Sequence, residues 1–205
     1  MRSIGALGLL AMLAACSADA PLRDAGPGTF TYQGNPLVRD RFTADPAPSD
    51  GTSWLFWGNA ELKFAPLAPD MISFTGPIET IDMPDFEEGP WVFQRGDVYY
   101  LAYASMDRAI SPDERISYAT APSIRGPWTW RGEINGSAAN SFTIHPGIVE
   151  FLGEWYLFYH VGTLTVGDQT GAIGRRAVAM ERMQFATNGL ILPVEQTAQG
   201  LLLPR

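Results

Sequence analysis

A chain of 205 residues with 46% hydrophobic and only 18% charged residues has the composition of one globular domain and excludes a disordered polymer. Aromatic residues reach 12%, alongside 21 Gly and 16 Pro, a balance that favours short strands and frequent turns over long helices. The formal charge of −8, with Lys63 as the single lysine, leaves no basic footprint for a nucleic-acid partner.

The chain opens on Met1-Arg2-Ser3, a short positive start, followed by a continuous apolar run from Ile4 to Leu13. That run suits a signal-peptide core and is too short to span a bilayer. It ends in Leu13-Ala14-Ala15-Cys16, which has the form of a bacterial lipobox, whose Cys is lipidated and heads the mature protein. The alternative is an ordinary signal peptide with a chance Cys. Cys16 is the only cysteine, so it has no disulfide partner within the chain. Ser17 follows it where an Asp would favour the inner membrane. The expectation is an exported protein held at the outer membrane or in the periplasm, touching membrane only through its lipid. Residues 1–16 form the signal, 17–29 a small, polar tether, and 30–205 the folded domain.

Beyond the signal no stretch sustains a helical period. Trp54-Leu55-Phe56-Trp57, Val98-Tyr99-Tyr100-Leu101-Ala102-Tyr103 and Trp155-Tyr156-Leu157-Phe158-Tyr159 are short, ring-rich and bounded by turn residues, as strands are. Each belongs to a repeat. Asp45-Pro46, Glu88-Gly89-Pro90 and His145-Pro146-Gly147 each lead through a turn into one of these strands. Behind each follows a third strand and a Gly-containing fourth segment: Phe74 to Ile78, Trp128 to Gly132, and Asn188 to Ile191. A unit of about 40–50 residues carrying four strands marks the blades of a β-propeller. The competing architecture is a β-sandwich with similar hairpins. Because blades are radial, residues at equivalent places converge near the axis. Asp45, Glu88 and His145 are those residues, and two carboxylates with an imidazole in an aromatic pocket form a candidate active site.

These motifs carry a resemblance. Thr43-Ala44-Asp45-Pro46, Trp57-Gly58-Asn59, Asp70-Met71-Ile72-Ser73-Phe74 and Glu88-Gly89-Pro90-Trp91 resemble glycoside hydrolase family 43. So do Tyr118-Ala119-Thr120 with Gly126-Pro127-Trp128, Ser141 to Gly147, and Arg175-Arg176 before an apolar strand. The resemblance implies a five-bladed propeller that removes arabinose or xylose from plant polysaccharides with inversion. It makes Asp45 the general base and Glu88 the general acid. It places His145 at the centre, where a calcium ion is sometimes found. It assigns Arg176, or its neighbour Arg175, to substrate hydroxyls, and Trp57 and Trp91 are the aromatic residues best placed for stacking on a sugar. No cofactor is required; calcium is optional.

The chain departs from that family in length. Asp45 stands only a short step before Trp57, where a whole further blade is expected, so about three blades plus an N-terminal strand are counted. One of three carboxylates is missing. Asp45 stands either for the base or for the aspartate that orients the acid, and Asp82, Asp85 and Glu87 are candidates to fill the gap. Ile144 replaces the Asn that commonly precedes the central His, which weakens the case for calcium. Open sheet faces predict association of two chains. The expected function is a glycosidase acting on arabinose- or xylose-containing oligosaccharides. The alternatives are a glycan-binding protein derived from the same family, and a remnant that folds poorly.

Overall fold

A computed structural model describes residues 51–198 and residue 200. Cys16, the signal and tether segments, Asp45 and the N-terminal strand lie outside the described residues. Ten strands make three antiparallel sheets, and among the described residues there is no helix. The first sheet runs β1 (Trp54–Gly58), β2 (Leu62–Pro66) and β3 (Glu79–Ile81). The second is a four-stranded meander of β4 (Phe86–Arg95), β5 (Val98–Ser105), β6 (Arg115–Ala121) and β7 (Thr129–Asn135). The third holds β8 (Gly147–Phe151), β9 (Glu154–Val161) and β10 (Ala177–Met183). Three meanders in series are three blades, an all-β propeller that is incomplete against five. The blade reading of the repeat holds over the sandwich alternative.

The middle sheet is buried on both faces, and its sequence shows why. In β5 side chains alternate between faces with a period of two. Tyr99, Leu101 and Tyr103 join a core with Trp54, Phe56, Leu62 and Phe64 of the first sheet. Tyr100 and Ala102 join a second core with Ile148, Leu157, Tyr159 and Met183 of the third. A strand covered on both sides reads as an unbroken apolar run, which is what Val98 to Ala104 is. Stacked rings fasten β1 to β2, with Phe56 and Phe64 opposite in register and 5.3 Å apart.

Two outer strands differ from the sequence expectation. Phe74 makes only a bridge to Leu67, and the third strand of the first blade is Glu79–Ile81. Asp70 accepts the N–H groups of Ile72 and Ser73, curling that segment into a turn, and Pro77 has no N–H for a ladder. In the last blade Asn188 to Ile191 adds no strand to β10. That segment folds on itself, with Ala186 N–H donating to Leu190 O at 2.8 Å and Leu192 N–H to Gln184 O at 2.9 Å.

Candidate active site

Glu88 lies on β4 at an irregularity. The pairing of β4 with β5 shifts between Phe86 and Glu88 and again between Glu88 and Trp91. Gly89 sits inside this bulge at φ +60°, a conformation that costs glycine nothing. A bulge re-aims a side chain, and here it directs the Glu88 carboxylate at the loop before β8. Glu88 Oε1 meets His145 Nε2 at 2.9 Å, joining the second blade to the third. Asn59 Nδ2 approaches Glu88 Oε2 at 3.5 Å, and Asn59 and Glu88 also form a backbone bridge from the first blade to the second. The equivalent blade positions Glu88 and His145 therefore do converge, as the repeat predicts. Asp45 falls outside the described residues.

Behind this pair stands a group that the blade repeat does not reveal. Glu114, only 2% exposed, lies just before β6, and its Oε2 accepts the Ile144 N–H at 2.8 Å. Its backbone N–H donates to Phe142 O at 3.1 Å, so one residue holds both ends of the short segment that carries His145. Glu88, Glu114 and His145 each bring one donor atom within 4.8 Å of the others. The only sequence signal for Glu114 is a carboxylate set immediately before a strand, Arg115–Ala121, that is buried over nearly its whole length. The three proposed substitutes do other work or stand apart. Glu87 pairs with Arg108 at 2.9 Å, Asp85 takes a left-handed turn conformation at φ +54°, and Asp82 has no place in this cluster.

A polar relay flanks the cluster. Arg176 Nη2 donates to Thr143 Oγ1 at 3.3 Å, and that hydroxyl lies 2.9 Å from His160 Nε2. Since Thr143 Oγ1 accepts from Arg176, it is free to donate its own proton to His160. Burial, followed by the charges of Arg176 and His145, pushes the His160 imidazole down, which favours that neutral acceptor. Arg175 turns its guanidinium to Thr170 O instead, so of the two candidate arginines Arg176 is the one beside the acid cluster. Both line a cavity of about 290 Å³ with Val161, Leu164, Val166 and Gln169.

The aromatic candidates separate. Trp57 stacks on Phe74 at 5.7 Å and 5°, half-buried at the end of the first blade. Trp91 is tied into the seam: its Nε1 donates to Ile148 O at 2.9 Å, and its ring packs against the core shared by the second and third blades. An indole whose N–H is used across a seam is positioned by that seam.

The two carboxyls respond oppositely to their surroundings. The His145 hydrogen bond holds the Glu88 carboxyl below the usual glutamate range, against an opposing contribution from burial. Burial pushes Glu114 up, and the nearby charge of Glu88 pushes in the same direction. The two carboxyls are thus driven apart, the pattern expected of groups with different acid–base roles. Calcium takes six to eight oxygen ligands. This cluster offers three donor atoms, two of them already bonded to each other, and fits a hydrogen-bonded acid cluster better than a calcium cage.

The sequence pattern of the glycosyl hydrolases family 43 matches residues 16–191. A β-D-galactofuranosidase of Aspergillus niger is 32% identical over 74% of this chain and 45% of its own length. An arabinoxylan arabinofuranohydrolase of Bacillus subtilis is 27% identical over 98% of this chain and 44% of its own. Among solved structures, a family 43 enzyme of Xanthomonas citri superposes with a TM-score of 0.64 at 25% identity, over 76% of this chain and 57% of that one. A family 43 β-xylosidase/α-arabinofuranosidase from a compost metagenome, solved with xylotriose in a calcium-free form, gives a TM-score of 0.61 at 25% identity, over 73% of this chain and 56% of its own. The chain spans about half the length of the relatives it matches.

Proposed function

Since this chain belongs to glycosyl hydrolases family 43, we propose that it releases arabinofuranosyl or xylosyl residues from hemicellulose-derived oligosaccharides by an inverting acid–base reaction. The observation that carries this reading is Glu88, aimed by its bulge into a cluster shared by blades, with a second, buried carboxyl behind it. In this reaction Glu88 gives a proton to the leaving glycosidic oxygen while a carboxylate across the ring activates water, a role assigned to Asp45. Sugar entering beside Glu88 competes for its bond to His145. Loss of that bond removes the main influence holding the carboxyl ionised, and raises its proton affinity where the leaving group sits. In this proposal Arg176 binds sugar hydroxyls and Trp57 stacks on a ring face.

The remaining expectations are part of the same proposal. Export through the signal at residues 1–16, lipidation at Cys16 and pairing of two chains over the open propeller place the site at a cell surface facing polymer fragments. The test is release of aryl leaving group from α-L-arabinofuranoside and β-D-xyloside, for wild type, Glu88→Gln and Asp45→Asn. A wild-type rate that both variants abolish supports the pair. A folded wild type that binds xylo- or arabino-oligosaccharides without turnover replaces the hydrolase with a glycan-binding protein, the reading that a resting Glu88 held ionised by His145 would favour.

A further inference from the structure

We propose that Glu114 is the positioning residue of the acid site, holding the backbone that presents His145 to Glu88 and sharing with Glu88 the proton that is passed to the leaving oxygen. The inference rests on the hydrolase reading and adds the residue that completes the carboxyl pair on the acid side. Three observations carry it. Glu114 is 2% exposed, so its carboxyl is placed by the fold and not by solvent. It grips the His145 segment twice, through Phe142 O at 3.1 Å and the Ile144 N–H at 2.8 Å. Its carboxyl also lies within 4.8 Å of the reacting atoms of both Glu88 and His145. A purely structural anchor for one backbone N–H would be satisfied by a neutral amide; a carboxyl within 4.8 Å of both an acid and its imidazole partner is not electrostatically silent.

The groups facing Glu114 are Glu88 and Glu87 from β4 and His145 from the loop before β8, with Arg176 and His160 one contact further. Two carboxyls this close titrate as a pair, and a pH–rate profile counts protons on the pair without regard to which oxygen carries them. When the pair holds one proton, burial favours its sitting on Glu114 over Glu88, whose carboxyl the His145 hydrogen bond holds low. The tautomer with the proton on Glu88 has the same proton count and is the one that reacts. The alkaline limb of the profile therefore follows the pair's last proton. With Glu114→Gln only Glu88 remains, already held low by His145, and the limb moves to lower pH. At 4.8 Å, between the dielectric of water and that of a protein surface, the interaction corresponds to a displacement of about one pH unit.

The experiment uses the full chain labelled with carboxyl-13C glutamate, and reads pH titrations by NMR beside kcat/KM profiles on aryl glycosides. One glutamate carboxyl is expected to titrate above the ordinary range, to vanish in Glu114→Gln, and to move down by about one unit in Glu88→Gln. The alkaline limb is expected to fall by about one unit in a folded Glu114→Gln, and Glu114→Ala is expected to lose a further tenfold or more in kcat. Superimposable limbs, or a high-titrating carboxyl indifferent to Glu88→Gln, would overturn the proposal. So would a wild-type rate lost in chelator and restored by calcium, which would make the cluster a cation site. Absence of turnover in wild type would sink the hydrolase reading alone, since the NMR titrations still decide whether the two carboxyls share a proton.

Discussion

Replacing Gly89 with alanine tests whether the bulge in β4 is what aims the acid. The residue holds φ +60°, where an alanine costs about 1 kcal/mol. Its new Cβ would stand 3.0 Å from His145 Cγ, 3.2 Å from Cδ2 and 3.3 Å from Nδ1, tight enough that the ring must give by a few tenths of an ångström. The imidazole must slide away, and the 2.9 Å contact with Glu88 stretches or breaks. Both partners are about one-third exposed, at 34% and 29%, so solvent returns part of the loss and roughly 1 kcal/mol remains. The total is about 2 kcal/mol, or a melting temperature lower by about 4–8 °C for a domain of this size. Because the acid itself is displaced, turnover should fall more steeply than stability, by about a hundredfold. Differential scanning calorimetry beside aryl-glycoside kinetics measures both. A Gly89→Ala protein with a melting temperature within about 1 °C of wild type and unchanged kcat would refute the packing argument at its root.

Trp91→Phe keeps a ring but leaves Ile148 O without its donor; it should cost about 1 kcal/mol in denaturant unfolding while leaving KM within about twofold, whereas a sugar-stacking Trp91 would raise KM sharply. Tyr100→Phe removes a hydroxyl that donates to Gly189 O at 2.7 Å, and should cost a similar ~1 kcal/mol with no kinetic effect. The two carboxyls should give stability opposite slopes with pH. Glu88, held low, contributes stability that is present above the ordinary carboxylate range and lost as pH falls through its folded value, so wild type and Glu88→Gln should converge in strong acid. Glu114, pushed up, contributes most below the ordinary range and loses that contribution as pH rises through its folded value, so Glu114→Gln should gain on wild type toward neutrality in equilibrium unfolding.

The middle blade was legible because its strands announce themselves. Val98 to Tyr103 is apolar at every position since both faces are covered, and the turn at Arg95-Gly96 precedes it. Glu88 and His145 were legible for a different reason: equivalent positions in a radial repeat must meet, and they do so at 2.9 Å. Glu114 was not, because it belongs to the start of a third strand, off the repeat position, and only the fold brings it behind Ile144. Nor was Trp91's role, since a ring beside a catalytic motif reads the same whether its N–H faces sugar or Ile148 O. The outer strands were misplaced where Asp70 and Pro77 turn the chain out of the ladder, and where residues 184–192 pair among themselves.

Every strand within the three sheets is hydrogen-bonded to a neighbour in sequence, yet the contacts that build the site are long-range. Glu88 reaches His145 across 57 residues, Trp91 reaches Ile148 across 57, and Tyr100 reaches Gly189 across 89. Hairpins close quickly, whereas seams between them wait on the entropy of closing large loops. The site is therefore expected to assemble after the hairpins that carry it. On the proposed reading, an oligosaccharide held by Glu88 on one side of the seam and Arg176 on the other would bind only the closed form. At a hundred times its dissociation constant it would add about 2.7 kcal/mol to that closure. Such a substrate would act as a stitch between blades, and a thermal shift on adding sugar would report seam closure even in a variant that no longer turns over.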